Sequence, residues 1–220
     1  MFVLALCVGA FVYGFLAHRN ELFPYGLIRE GFQGFQVLRR AVVGERFNFY
    51  FRRSQETRVI PVYDAGAVYP GLTLLTAVMA DGDLAIQVVN PQGEVIHEWR
   101  PNWFEIYPEA PEHVSEEDLP QSTPGTHIHG VVLLEDGSVV FNFEHLSLVR
   151  LDPCGGVMWR LAYRTHHSLF LDEQQRLWAS GQINHYAPVS RIPNHEPVFI
   201  EPTVVVVSLE GEILRTFSVM

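Results

Sequence analysis

The chain has 220 residues, 48% of them hydrophobic and 18% charged, which is enough to bury the core of one or two domains. Its formal net charge of −10 at pH 7 argues against nucleic acid as a partner. All 15 residues in the Lys and Arg count are arginine, which excludes lysine Schiff-base chemistry and a phosphate-binding P-loop.

The first predicted element is a membrane anchor over residues 1–18. Residues 1–17 carry no charge, and as a helix they would extend about 25 Å, just short of the hydrocarbon core of a bilayer. No basic segment precedes this run and no clear small-residue cleavage site follows it, which favours an anchor over a cleaved signal peptide. A buried helix remains the alternative. Residues 19–56 predict a juxtamembrane helix, within "GLIREGFQGFQVLRR", and a linker.

From residue 57 to residue 220 the chain changes to short apolar runs of β type, separated by polar turns. Runs such as "LAIQVV", "SVVFNF" and "TVVVVSL" alternate with turns such as "ADGD", "EDG" and "DPCGG". Val, Ile and aromatic residues favour strands, whereas Gly, Asp and Pro favour the tight turns between them. This pattern predicts an all-β propeller, barrel or sandwich.

Two of the β-type runs begin with a histidine at the same position. His129 opens "HGVVLLEDGSVVFNF" eight residues before Gly137, and His167 opens "HSLFLDEQQRLWASG" eight residues before Gln175. Repeats of this length are typical of propellers and solenoids. We expect Gln175 to replace the usual turn glycine with structural consequences only, and the shared histidine position to mark a shared site.

The repeat predicts about three four-stranded blades, the first ending near residue 101, the second over 127–163 and the third over 165–219. Each blade has a glycine at its third turn: Gly93, Gly155 and Gly211. Insertions at 102–126 and 181–202 interrupt the pattern, and we expect the acidic first one to be a solvated loop. Because propellers typically have about four to eight blades, three do not close a ring. The chain is therefore expected to be part of a larger propeller.

Several stretches resemble the arylsulfotransferase (aryl-sulfate sulfotransferase) family, in its membrane-anchored bacterial branch. They are "YPGLTLLT", "VVNPQGEVIHEW", "HIHGVVLLEDGSVVFNFE", "LVRLDPCGGVMWRL" and "THHSLFLDEQQRLWASGQ". The resemblance implies a six-bladed β-propeller, of which this chain supplies the first half, with histidines and an arginine around its central channel. It also implies an aryl sulfate donor, a phenolic acceptor and no cofactor. We expect the propeller on the extracytoplasmic (periplasmic) side, but the orientation stays open, because the positive-inside rule would place the arginines that follow the anchor in the cytoplasm. We expect the half-ring to be inactive alone.

Five residues are predicted to carry this chemistry. His167 and His129 share one blade position, and His127 lies on the same strand face as His129 because the two are two residues apart. His166 faces the other way unless a bulge intervenes. Histidine can act as a base, acid or nucleophile near neutrality, and the resemblance implies a sulfohistidine intermediate. Arg164 is the predicted sulfate clamp, since its planar guanidinium matches sulfate oxygens.

Two alternatives compete with sulfuryl transfer. The histidine pairs 127/129 and 166/167 supply enough imidazoles for zinc or copper. The sequence places no supporting carboxylate or cysteine at ligand spacing, so no metal is predicted. The other alternative is a non-catalytic propeller that acts as a membrane-tethered binding scaffold, because a fold does not define a function.

Overall fold

The computed structural model describes residues 2–20, 22–25, 31, 64, 66–67 and 70–220. The chain divides into two compact units, Met1–Phe51 and Arg52–Met220. Most of the predicted juxtamembrane helix and linker lies outside the described residues, as does the "RVIPVY" run.

The first unit contains helix α1, Phe2–Arg19, whose side chains are exposed along almost its whole length. Its last turn carries His18 and Arg19, which favourably face the negative end of the helix dipole. By length and composition, α1 is able to cross a membrane. The apolar helix expected at the N-terminus is thus present.

The second unit is built from antiparallel strands, as the alternating runs predict. The described residues form one three-stranded and two four-stranded sheets, each ordered along the chain. The strands of the first sheet are β1 Thr73–Val78, β2 Leu84–Val89 and β3 Val95–Trp99. Those of the second are β4 Ile128–Leu133, β5 Val139–Phe143, β6 Ser147–Leu151 and β7 Val157–Leu161. Those of the third are β8 Thr165–Leu171, β9 Leu177–His185, β10 Phe199–Val207 and β11 Ile213–Ser218.

The turns that follow the first strands of the two four-stranded sheets have the same conformation, although the residue with positive φ is glycine in one and glutamine in the other. Gly137 has φ 80° and donates its N–H to the carbonyl of Leu134 at 3.0 Å. Gln175 occupies the same place with φ 59° and donates to the carbonyl of Asp172 at 3.0 Å. The exchange of glycine for glutamine therefore keeps the turn, at the cost of a left-handed conformation that a side chain disfavours.

The second sheet lies between the other two and is buried on both faces at its centre. Phe141 and Val149 pack with Ile86 of the first sheet, whereas Val140 and Leu148 pack against the third sheet. Successive residues of a strand point to opposite faces, so a strand covered on both sides must be apolar throughout. This explains the run "VVFNF" of β5, all of whose residues are buried and all of which are apolar except Asn142, whose amide is hydrogen-bonded.

The insertion at 102–126 is only partly the solvated loop that its composition predicts. Its glutamates are largely exposed, but Trp103, Ile106 and Val114 are buried in the core shared by the first two sheets. Trp103 opens the short helix α2, Trp103–Ile106, and its ring lies edge-on to Phe143 at 5.4 Å. The apolar residues thus anchor the segment, because burying an aromatic side chain outweighs the polarity of its neighbours.

The first strands of the sheets lie side by side. β4 contacts both β8 and β1, so the first strand of the second sheet lies between the first strands of the other two sheets. The histidines that the repeat places at the start of these strands therefore come from different sheets to one place.

Candidate functional site

Bulges set the direction of the two repeated histidines. In β4 the register passes from the pair Ile128 and Phe143 to the pair Val131 and Phe141, so that residues 129 and 130 oppose a single residue of β5. In β8 the register shifts at residues 167 and 168, at the corresponding place. A bulge changes the direction of a side chain locally. His129 and His167 thus occupy equivalent positions, as their spacing predicts.

The rings of His129 and His167 are in direct contact. Their Nδ1 atoms are 3.1 Å apart and their ring centroids 4.7 Å apart. A hydrogen bond between two imidazole nitrogens requires one of them to carry a proton and the other to offer its lone pair. The contact therefore couples the tautomers of the two rings.

Asn142 fixes the backbone beneath this contact. Its side chain is fully buried on β5, directly opposite the bulge of β4. Its Oδ1 accepts from the N–H of Gly130 at 3.2 Å, and its Nδ2 donates to the carbonyl of His167 at 3.4 Å. One amide therefore ties the two bulges together.

Glu144 brings a carboxylate to the histidines. It begins the turn between β5 and β6, and its N–H donates to the carbonyl of His127 at 2.9 Å. Its Oε2 lies 3.6 Å from Nε2 of His129, and its Oε1 lies 3.7 Å from Nε2 of His145. The expectation that no carboxylate supports the imidazoles is wrong, because β5 returns beside β4 and places a residue distant in sequence next to His129.

His145 adds an imidazole that sequence analysis did not select. Its Nδ1 lies 2.7 Å from Oε1 of Gln182, whose Nε2 donates to Oδ1 of Asn184 at 2.9 Å. With its amide so directed, Gln182 accepts a hydrogen bond from Nδ1–H of His145, and Nε2 of His145 faces Glu144. The φ of His145 is 59°, an unfavourable conformation of the kind that clusters at functional sites. Its place in a turn was the only signal in the sequence.

His166 and His127 complete the group. The ring of His166 lies 5.1 Å from that of His167 and 5.0 Å from that of His145, because the bulge overrides simple strand parity. Burial lowers the pKa of His166, and the neighbouring His145 and His167 lower it further. Burial also lowers the pKa of His127, and Glu144 partly opposes this effect. All four predicted histidines therefore lie in one cluster.

Arg164 lies beside the cluster with its guanidinium bound to protein groups. It is buried, its Nε donates to the carbonyl of His145 at 3.0 Å, and its Nη1 donates to Oδ2 of Asp118 at 2.7 Å. Hydrogen bonds from Ser115 and Arg164 lower the pKa of Asp118. Arg164 thus holds the turn that carries His145, while direct contact with sulfate stays a prediction.

The second unit is mostly β in its described residues and carries a histidine and glutamate cluster between two of its sheets. No protein-family model and no curated protein matches the sequence. A solved protein of unknown function from Bacteroides caccae is 12% identical with a TM-score of 0.41, over 69% of this chain and 48% of that one. BamB from Moraxella catarrhalis is 12% identical with a TM-score of 0.31, over 67% of this chain and 47% of that one.

The chain therefore spans about half the length of both structures. Similarity at this level assigns no function.

Proposed function

We propose that this chain is part of a β-propeller that transfers a sulfuryl group from an aryl sulfate to a phenolic acceptor, with the histidine cluster as its active site. The single observation that carries the proposal is the contact between His129 and His167 beside Glu144. The order of the sheets and the contacts between their first strands support the radial arrangement that a propeller requires.

The carboxylate of Glu144 determines which of the two histidines donates the hydrogen bond in this contact. Lying 3.6 Å from Nε2 of His129, it favours a proton on that nitrogen. Nδ1 of His129 is then the lone pair that accepts from Nδ1–H of His167, at 3.1 Å. His167 is left with its Nε2 lone pair free for reaction. Covalent catalysis commonly uses three groups in this way: a nucleophile, a base hydrogen-bonded to it, and a third group that orients the base. Here these groups are His167, His129 and Glu144.

The reaction proceeds in two displacements at sulfur. In the first, Nε2 of His167 attacks, the bond from sulfur to the aryl oxygen breaks, and the departing phenolate takes a proton carried on Nε2 of His145, whose Nδ1–H stays bonded to Gln182. In the second, an acceptor phenol returns its proton to His145, its oxygen attacks sulfur, and the nitrogen–sulfur bond breaks. His129 shares the Nδ1 proton of His167 throughout, which limits the charge that builds up on the sulfohistidine.

The remaining predicted residues have supporting roles. Arg164 clamps a sulfuryl oxygen or holds His145 through its carbonyl, at 3.0 Å. His127 and His166, whose pKa values burial lowers, stay neutral and act as hydrogen-bond partners or bases. Helix α1 anchors the chain in a membrane, with the propeller on the extracytoplasmic (periplasmic) side.

The test is turnover of para-nitrophenyl sulfate in the presence of a phenol acceptor. It uses the 220-residue chain and the longest natural product that contains it. We expect His167→Ala to abolish the release of para-nitrophenol and the formation of sulfohistidine. His195→Ala, a change at an exposed histidine outside the cluster, should leave both unchanged.

Two results would reject the proposal. Undetectable turnover in both proteins would favour a binding scaffold over an enzyme. Unimpaired turnover by His167→Ala would remove this residue from the site.

A further inference from the structure

We propose that His129, Glu144 and His167 form a binding site for a first-row divalent transition-metal ion. One ligand atom from each residue lies within 4.8 Å of the other two. Two imidazoles and one carboxylate are the ligand set of mononuclear zinc and non-haem iron(II) sites. The site goes beyond sulfuryl transfer and does not depend on it.

The spacing of the two imidazole nitrogens fits an ion. Zinc binds histidine nitrogen at about 2.0–2.1 Å, so an ion between nitrogens 3.1 Å apart would meet them at an angle of roughly 100°. This angle lies between those of octahedral and tetrahedral coordination. The ion would replace the proton that His129 and His167 otherwise share between their Nδ1 atoms.

Glu144 and its neighbours complete the coordination. Oε2 of Glu144 lies 3.6 Å from Nε2 of His129, and one ligand atom of each of the three residues lies within 4.8 Å of the others. The Glu144 side chain would rotate from Nε2 of His129 to reach an ion held by the two Nδ1 atoms. The other oxygen, Oε1, lies 3.7 Å from Nε2 of His145, so this imidazole orients the carboxylate. Asn142 holds the carbonyl of His167 and the N–H of Gly130, which fixes the backbone of both histidine ligands.

The cluster is also open to solvent on one side. The side chains of His129 and Glu144 are 36% and 24% exposed. A structural zinc site is closed by four protein ligands, whereas a catalytic site has three and keeps one position for water or substrate. Three ligands at a partly exposed surface therefore favour a reactive ion over a structural one.

Metal binding can be measured directly on the full chain, purified in detergent without a histidine tag and stripped with EDTA. We expect calorimetric titration with Zn²⁺ to show one saturable site per chain, and Co²⁺ to give the d–d absorption of a site with nitrogen and oxygen ligands. His129→Ala, His167→Ala and Glu144→Gln should each weaken binding by roughly 10-fold or more. His195→Ala, which removes an exposed imidazole elsewhere, should bind as the unmodified chain does.

Each possible result decides the question. Absence of saturable binding overturns the site, as does equal weakening by His195→Ala, which would reveal non-specific capture by imidazoles. Unchanged affinity in Glu144→Gln, a substitution that preserves side-chain shape, overturns the three-ligand set even if the alanine variants fail to fold. The aryl sulfate assay on EDTA-stripped protein tests sulfuryl transfer separately, so each proposal can fail while the other stands.

Discussion

The backbone of Gly130 lies against the carbonyl oxygen of His167 so closely that a Cβ at residue 130 would be 2.5 Å from it. The same Cβ would lie 2.8 Å from Cβ of Leu169. Both neighbours belong to the strand β8, which is held by its own sheet. The absence of a side chain at residue 130 therefore allows two sheets to bring their histidines into contact.

Gly130→Ala should push β4 and β8 apart. We expect it to lower the free energy of unfolding by about 1–3 kcal/mol, the usual cost of overpacking, and to weaken Zn²⁺ binding through displacement of His167. Chemical denaturation and calorimetric titration measure the two effects. Gly71→Ala is the matched control, since a Cβ there meets nothing within 4 Å. Equal effects of the two substitutions would contradict this role of Gly130.

Local pattern in the sequence predicts the strands, their turns and the pairing of His129 with His167. The strands and turns depend on short-range periodicity, and the histidine pair depends on a repeat that places a histidine at the start of equivalent strands. Glu144 and His145 escaped selection as site residues because they reach the cluster through antiparallel pairing and a turn. Gln182 reaches it from another sheet, and nothing near it in sequence indicates that its amide accepts from His145 at 2.7 Å.

Asn142→Ala should loosen the cluster without removing a histidine. The substitution leaves the N–H of Gly130 without its present acceptor and the carbonyl of His167 without its present donor. Leaving buried polar groups unsatisfied costs about 1–3 kcal/mol, which urea denaturation can measure. Asn194→Ala, at an exposed loop position, should change stability by less than about 0.5 kcal/mol. Equal stability of both variants would refute the bridging role.

Asp118→Asn separates the two roles of Arg164. If Arg164 positions His145, weakening its ion pair with Asp118 at 2.7 Å should lower aryl sulfate turnover in parallel with Arg164→Lys. If Arg164 acts only as a sulfate clamp, Asp118→Asn should leave turnover nearly unchanged while Arg164→Lys raises KM. We expect the first result, with kcat reduced by both variants. Steady-state kinetics in the longest natural product that contains the chain measure kcat and KM separately.

Gln175→Gly should stabilise the protein. Gln175 holds φ at 59°, and a left-handed conformation costs a residue with a Cβ about 1–2 kcal/mol. The greater freedom of glycine in the unfolded chain offsets part of this gain, so we expect a net increase of about 0.5–1 kcal/mol in the free energy of unfolding. Thermal and urea unfolding provide the measurement. Gln174→Gly, one residue earlier and without positive φ, should not stabilise.

The ion pair of Glu201 with Arg191 should make stability depend on acid pH. Glu201 is 1% exposed, its Oε1 lies 2.7 Å from Nη1 of Arg191, and its Oε2 lies 2.6 Å from Nε2 of His185. Hydrogen bonds from Arg191 are the main reason that its pKa falls to about 2. A glutamate in the unfolded chain has a pKa of about 4.3, so the unfolded state binds more protons than the folded state between this pH and about pH 2.

The stabilisation from Glu201 is therefore complete above about pH 5 and is lost as the pH falls from there toward 2. Glu201→Gln should lower the free energy of unfolding at pH 7 by about 1–3 kcal/mol, a modest value because Arg191 is half-exposed. The variant should also show a flatter loss of stability between pH 5 and 2 in urea denaturation. Glu196→Gln, an exposed change in the loop that carries Arg191, is the control and should retain the full acid dependence. Parallel pH profiles for Glu201→Gln and the unmodified chain would show that this carboxylate does not carry the effect.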